Sequence, residues 1–200
     1  MGWPPARRPD DAASHDFEPS DDDLVAQARH DPAAFAALYR RYAIPIYRYC
    51  DRALGDRGHA EELTQTIFLR ALSGLPRYRG GSFRSWLFAI AHNAVVSTRR
   101  AQRPVFDLSQ TEEIADPAAS PEDLAIAAAT QREITQLLAK LPPEQRAVVE
   151  LRLAGLRDKE IADVLGRSPG AVRMAQYRAV QQLRGLLNGE RTREVTHAGR

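Results

Sequence analysis

The residues best suited to do chemistry lie in a basic segment near the C-terminal end, residues 158–187. From Gly166 onward this segment contains Arg173 and Arg178 and no acidic residue. An arginine guanidinium binds phosphates as well as the hydrogen-bonding edge of guanine. The chemistry that this segment predicts is therefore recognition of duplex DNA by charge and hydrogen bonds, without a bond-making step.

Two short helices and a sharp turn are predicted to position these arginines. Ile161 and Leu165 lie four apart on one helix, Gly166 supplies the positive φ of the turn, and Ser168 with Pro169 begins the second helix. The predicted buried stripe of the second helix is Val172, Ala175, Ala179, Leu183 and Leu187. The predicted outward side carries Arg173, Gln176, Tyr177 and Arg178. An ordinary helical hairpin is the alternative, but the spacing of the turn residues favours a helix-turn-helix.

A second basic region lies between residues 77 and 103, which contain six arginines and no acidic residue. A glycine-containing loop leads there into an aromatic-rich helix. Loops of this kind bind single-stranded nucleic acid, because arginine follows the backbone and exposed aromatic rings stack on unpaired bases. Phe83 and Trp86 lie at helical spacing and are predicted to be core, so Tyr78, Arg79 and Arg84 are the better contact candidates.

Charge blocks and prolines divide the chain. Acidic residues are the only charged residues from Asp10 to Asp23, and they are unopposed again from Pro104 to Gln131. The fold class predicted is all-α, with two small helical domains joined by a flexible acidic linker and a helix-turn-helix in the second. The predicted divisions are a disordered leader 1–22, a first domain 23–103, the linker 104–123, a second domain 124–188 and a tail 189–200.

Local signals predict several helix ends in the first domain. Asp23 is expected to cap the first helix, and Asp31 to cap the second. Pro45 is expected to kink the second helix without ending it, because the apolar spacing continues through it. Gly55 is expected to close that helix, and a third helix is expected to start near His59.

The composition excludes several classes of function. The chain has 200 residues, a formal net charge of +2 and a single cysteine, Cys50, so an internal disulfide and a cysteine-rich zinc site are both excluded. His59 and His92 have no partners at metal-ligand spacing, and no metal or other cofactor is expected. No apolar run approaches the ~20 residues of a membrane-spanning helix, and no signal peptide is evident, so the expected location is the cytoplasm.

Four segments in order, residues 60–71, 83–93, 141–146 and 160–178, give the chain a family resemblance. Between about Asp23 and Leu187 it resembles a sigma factor of the extracytoplasmic-function (ECF) group, group IV of the sigma-70 family. The resemblance implies a non-enzymatic initiation factor that binds core RNA polymerase at its clamp and flap. It further implies that the first domain reads and melts the minus-ten promoter element, that the second reads the minus-thirty-five duplex, and that an anti-sigma factor controls the protein.

The resemblance also assigns residues by position. The implied polymerase-binding residues are Glu61, Glu62, Gln65 and Phe68. The implied minus-ten contacts are Tyr78, Arg79, Gly80, Ser82, Arg84, Asn93, Arg99 and Arg100. The implied minus-thirty-five contacts are Ser168, Arg173, Tyr177 and Arg178. Two departures concern the second domain: Arg157 occupies a usual serine cap, for which Asp158 is the expected substitute, and Met174 with Ala175 replaces a common Ser-Arg pair.

Three other functions fit parts of the sequence. A stand-alone helix-turn-helix regulator would use the first domain for dimerisation, but it leaves the loop before Phe83 without a purpose. A small hydrolase using Cys50 or His92 lacks a complete catalytic set. A regulatory sigma paralogue that binds polymerase without opening DNA is compatible with Thr66 and Ser97, which replace acids common in the family.

Overall fold

All regular structure in the described part of the chain is helical. The structure is a computed structural model that describes residues 19–101 and 121–197, except for the side chains of residues 121–128 and 189–197. The helices are α1 (Asp21–His30), α2 (Phe35–Leu54), α3 (Arg57–Gly74), α4 (Phe83–Ala101), α5 (Pro121–Ala139), α6 (Pro143–Leu153), α7 (Asp158–Leu165) and α8 (Pro169–His197). The predicted all-α fold is confirmed.

The start of α1 corrects the sequence prediction. Ser20, not Asp23, is the N-cap: its Oγ accepts from the backbone N–H of Asp23 at 3.2 Å, and the Asp23 carboxylate accepts from the N–H of Ser20 at 3.2 Å. The pair forms a capping box, in which the acid takes the third helical position. Asp31 caps as expected, since its carboxylate accepts from the N–H of Ala33 in the 3-10 turn that leads into α2.

Helix α2 does not end at its internal proline, and it ends at the predicted glycine. The helix continues through Pro45, and Gly55 closes it in the left-handed conformation at φ 73°. Asp56 then caps α3, with its carboxylate 2.7 Å from the N–H of His59, so that α3 starts at Arg57 rather than at His59 itself.

The first helical unit, α1 to α4, surrounds one aromatic-rich core. Phe83, Leu87 and Phe88 of α4 are fully buried, and the Tyr49 ring of α2 packs edge-on against Phe88 with ring centroids 5.7 Å apart. The apolar residues after the basic loop are therefore core, and they hold the loop between α3 and α4 in place.

The second unit, α5 to α8, contains the predicted helix-turn-helix. Gly166 ends α7 at φ 62°, and the Ser168 Oγ accepts from the N–H of Ala171 at 3.2 Å at the start of α8. Asp158 does not act as the expected substitute cap, because it is the first residue of α7 and its carboxylate pairs with Arg152. The Glu160 carboxylate accepts from the N–H of Arg157 at 2.7 Å. The buried stripe of α8 ends earlier than predicted, since Leu187 is 47% exposed.

The two units pack against each other. α7 lies on α4, and both α5 and α6 contact α2. A single cluster of buried apolar residues includes Leu87 and Val95 of α4 together with Val148, Leu151 and Ile161 of the second unit. The predicted linker 104–123 lies outside the described residues as far as residue 120, and α5 begins at Pro121.

Candidate nucleic-acid and partner surfaces

The exposed face of α8 carries the residues expected to contact duplex DNA. Arg173, Arg178 and Ser168 are exposed, and Tyr177 is 61% exposed. The opposite side of the helix is packed against the rest of the unit through Val172. The helix therefore presents guanidinium and phenol groups at a surface that no other part of the described chain covers.

Asp158 fixes the position of this helix. Its carboxylate forms an ion pair with Arg152 and lies 3.8 Å from the Arg173 guanidinium, while Arg152 also donates to the Gln176 side chain at 3.1 Å. These contacts tie α6, α7 and α8 together. The side chain of Arg173 is nevertheless 65% exposed, so it remains accessible to a ligand.

The loop before α4 is held in a defined shape by Tyr78. Contrary to the expectation of an exposed ring, Tyr78 is only 6% exposed, because it packs against Phe83 and Trp86 with ring centroids 6.0 and 5.1 Å apart. Its hydroxyl donates to the Gly81 carbonyl at 2.7 Å, and burial together with the Asp22 carboxylate raises the pKa of the phenol. Tyr78 thus supports the loop from beneath.

A shallow cavity of about 270 Å³ opens beside this loop. One wall is α1, whose Arg29 donates to the Tyr78 carbonyl oxygen, and the other is the loop at Arg79 and Gly80. Gly80 has φ 92° and no atom lies within 4 Å of the place where a Cβ would be, so the backbone there is open to a ligand. The cavity places peptide groups and arginine beside an apolar floor.

The other predicted minus-ten residues fall into two groups. Arg79, Ser82, Asn93 and Arg100 are exposed. Arg84 and Arg99 are half-buried and bonded to the second unit, where Arg99 pairs with Glu150. The structure therefore does not place all of these residues on one free surface.

The predicted polymerase-binding residues lie on α3. Glu62 and Gln65 are exposed and Glu61 is half-buried, whereas Phe68 is buried with its ring centroid 4.7 Å from that of Tyr39. Phe68, which the resemblance assigns to polymerase binding, therefore packs beneath this face.

Two exposed apolar side chains of the same region were missed from the sequence. Leu69 is 66% exposed and Tyr39 is 44% exposed, although both are large and apolar. The available signal was that Leu69 falls outside the inward stripe of α3 defined by Ile67 and Phe68. Apolar groups exposed beside Glu62 and Gln65 make this face suitable for binding protein.

A buried ion cluster between the units was also missed. Glu150 of α6 is fully buried, and its Oε1 lies 2.6 Å from the Arg99 Nη2 and 2.7 Å from the Arg146 Nε. The signal in the sequence was a glutamate flanked by Val148 and Leu151, where an apolar residue would continue the stripe.

The side chains weighed for an enzyme occupy structural positions. Burial raises the pKa of the Cys50 thiol to about 12, which leaves it protonated and unreactive at neutral pH. His92 shares a 3.2 Å hydrogen bond with the buried Tyr49 hydroxyl. Within the described residues, no group of three or more His, Cys, Asp or Glu side chains is arranged to hold a metal ion, and no helix is long and apolar enough to cross a membrane.

Comparison with known proteins identifies the family to which the two helical units belong. Residues 38–105 match the family model of Sigma-70 region 2, and residues 131–183 match that of Sigma-70, region 4. The chain belongs to the sigma-70 family of transcription initiation factors, and a stand-alone helix-turn-helix regulator is not favoured.

Curated relatives narrow the class to ECF RNA polymerase sigma factors. BldN of Streptomyces coelicolor is 36% identical over 82% of this chain and 65% of its own length, so this chain spans about two thirds of that relative. ShbA of Streptomyces griseus is 37% identical over 80% of this chain and 88% of its own length.

Solved structures share the fold. CnrH, solved in complex with the cytosolic domain of CnrY, superposes with a TM-score of 0.67 at 26% identity, covering 83% of this chain and 96% of that chain. RpoE of Bartonella quintana, solved with the anti-sigma factor NepR, gives a TM-score of 0.58 at 20% identity, covering 77% and 96%.

Proposed function

We propose that this protein, as a group IV sigma factor of the cytoplasm, directs core RNA polymerase to promoters by reading two DNA elements and does no bond chemistry itself. The face of α8 that carries Arg173, Tyr177 and Arg178 is the observation that carries this proposal. It is exposed and rich in donors, and Arg173 lies 3.8 Å from the Asp158 carboxylate of α7. A helix of this form enters the major groove, where arginine binds phosphates and guanine edges.

The loop cavity beside Arg79 and Gly80 is the proposed site for an unpaired base of the minus-ten element. Taking a base out of the duplex costs a few kcal/mol. Contacts to the loop backbone, with a nearby phosphate neutralised by Arg79, offset that cost. Because the Tyr78 ring is buried, we assign it the role of shaping the loop instead of stacking on the base.

The exposed face of α3 is the proposed contact with core polymerase. Glu62 and Gln65 supply charge and hydrogen bonds, and the exposed Leu69 supplies an apolar contact. Aromatic and apolar groups surrounded by polar ones are typical of protein interfaces. Thr66, which replaces a common acid, directs its hydroxyl to the Glu62 carbonyl at 3.0 Å and leaves the outward charge to Glu62.

An anti-sigma factor is the proposed inhibitory partner. The resemblance implies one, and the related CnrH was solved with the cytosolic domain of CnrY bound to it. A co-purification from resting cells that finds polymerase alone would contradict this part of the proposal.

The experiment that tests the function is transcription from genomic DNA fragments by bacterial core polymerase with and without this protein, followed by sequencing of the new RNA 5′ ends. We expect new starts that share a two-part upstream motif. The double change Arg173→Ala and Arg178→Ala should lower these starts by about tenfold or more, since each lost guanidinium contact costs roughly 1–3 kcal/mol. Arg132→Ala, at an exposed position on α5, is the matched control. DNA binding without new starts would favour a stand-alone regulator, whereas polymerase binding without new starts would favour a regulatory paralogue.

A further inference from the structure

Two of the arginines assigned to promoter DNA are already bonded inside the protein. Arg99 donates to the Ala53 carbonyl from Nε at 3.1 Å and from Nη2 at 2.6 Å, and the same Nη2 lies 2.6 Å from the Glu150 carboxylate. Arg84 donates to the Ala154 carbonyl at 3.0 Å, with Glu160 3.9 Å from its other terminal nitrogen. The Ala53 carbonyl belongs to the first unit, whereas Glu150 and the Ala154 carbonyl belong to the second. The second unit therefore takes one terminal nitrogen of each arginine, a donor that a phosphate would otherwise take.

Glu150 is the centre of this contact. Its side chain has no exposed area, and its Oε1 also lies 2.7 Å from the Nε of Arg146 on the same helix, which donates to the Ala53 carbonyl at 2.9 Å. The other carboxylate oxygen, Oε2, is buried without a hydrogen-bond partner. A buried carboxylate is stable only while its cationic partners remain, because removing it from water has a large cost. Separation of α6 from α4 would leave Glu150 without Arg99 and return its charge to water.

Glycines allow the close approach of the two units. A Cβ at Gly155 would lie 3.0 Å from the Arg84 Nη2, and a Cβ at Gly55 would lie 3.0 Å from the Thr135 Cγ2. Both glycines also have positive φ, of 83° and 73°. The absence of a side chain at Gly155 and Gly55 thus leaves room for Arg84 and Thr135 where the units meet, in addition to the charge pairing at Glu150.

We propose that the second unit is a built-in competitor of promoter DNA for the first unit. Glu150 occupies the place of a DNA phosphate on Arg99, while the Ala154 carbonyl and Glu160 hold Arg84, so the minus-ten surface is complete only after the units separate. The inference rests on the proposed function, which assigns Arg84 and Arg99 to DNA. Carboxylate and phosphate bind the same guanidinium donors, so the two contacts exclude each other. If only a fraction of the molecules is open, the apparent affinity for DNA equals the affinity of the open form multiplied by that fraction.

The test compares Glu150→Gln with Glu144→Gln in the full chain. Both residues lie on α6, and both changes remove one negative charge. Glu144 is exposed, however, and faces Arg167 of its own unit at 3.7 Å. Affinity for a fluorescein-labelled single-stranded DNA of mixed sequence is measured by anisotropy at fixed salt, and the radius of gyration by small-angle X-ray scattering.

We expect Glu150→Gln to raise the affinity about tenfold and to increase the radius of gyration, because a broken buried pair shifts the equilibrium to the open form. Glu144→Gln should change the affinity less than about twofold, as expected for an exposed charge. Equal affinities for the two variants, with helical circular dichroism retained, would overturn the inference. An open Glu150→Gln protein with unchanged DNA affinity would overturn it too.

A second variant decides the matter if Glu150→Gln does not fold. Glu160→Gln keeps the side-chain oxygen that accepts from the Arg157 N–H, and so preserves the start of α7 while removing the charge beside Arg84. Raised affinity in Glu160→Gln supports the competition, and affinity equal to that of Glu144→Gln overturns it. If the wild-type protein directs no initiation, the proposed function fails whatever these affinities are; equal affinities in a protein that does direct initiation contradict only the competition.

Discussion

At the scale of single residues, exposure separates side chains of the same type into different roles. Arg173 is 65% exposed on α8, whereas the Arg146 side chain is 17% exposed and paired with Glu150. Residue type alone does not separate them, since both are arginines on helices. Type and spacing identified Arg173 correctly as an outward residue, because an amphipathic helix reveals which side faces out. The sequence marks Glu150 only as a glutamate within an apolar stripe, and its pairing with Arg99 could not be predicted because that partner lies 51 positions away along the chain.

Charge reversal on the proposed polymerase face tests one side chain. Glu62→Arg should lower binding to core polymerase by at least about tenfold, because a like charge placed in a complementary interface costs several kcal/mol. The exposed position should leave thermal stability unchanged within about 0.5 kcal/mol. Binding is measured by fluorescence anisotropy of the labelled protein titrated with polymerase, and Arg132→Glu on the exposed side of α5 is the control. Wild-type affinity in Glu62→Arg would move the contact away from this part of α3.

For the helices, the sequence predicts where a helix ends most accurately when a single capping residue determines that end. The turn between α7 and α8 was predicted correctly from two residues. The left-handed end of α7 depends on Gly166 alone, and the cap of α8 depends on Ser168 alone. The start of α1 was misplaced by three residues because Ser20 and Asp23 are both good caps, and the reciprocal bonds of the capping box decide between them.

Because of the half-buried His92 on helix α4, the free energy of unfolding is expected to depend on pH. Burial lowers the pKa of His92, while Glu150 opposes and Arg99 adds to that effect. The folded protein therefore binds this proton less readily than the unfolded chain, whose histidine pKa is about 6.5. The resulting stability is complete above that pH and is lost as the pH falls through the lower folded-state pKa.

The variant His92→Gln should flatten this dependence while keeping a hydrogen bond to the Tyr49 hydroxyl. The pH dependence is measured by urea unfolding at about pH 7.5 and about pH 5.5, as the decrease in the free energy of unfolding from the higher pH to the lower. We expect a smaller loss in His92→Gln than in the wild type, and no difference for His30→Gln at an exposed site on α1. An identical loss in His92→Gln and the wild type would show that this histidine does not contribute.

At the scale of the whole molecule, the sequence predicted the two helical units but not their arrangement. Charge blocks and helical periodicity are local properties, so they located the units on either side of the acidic segment. Docking of α7 on α4 depends on matched surfaces far apart in sequence, including the space that Gly155 leaves for Arg84. The sequence predicted two domains joined by a flexible linker. In the structure, both units contribute residues to one cluster of buried apolar side chains.

If this chain reads two promoter elements at once, as proposed, initiation must depend on the spacing between those elements. On a promoter found by mapping new starts, about five base pairs are inserted between the two motifs, which turns one element by half a helical turn relative to the other. Initiation by polymerase with this protein is then compared for the original and the lengthened spacer. Initiation should fall by about tenfold or more, because α8 and the loop before α4 can no longer bind their elements at the same time and the gain from linked binding is lost. Initiation at an unchanged rate from the lengthened spacer would contradict the proposal.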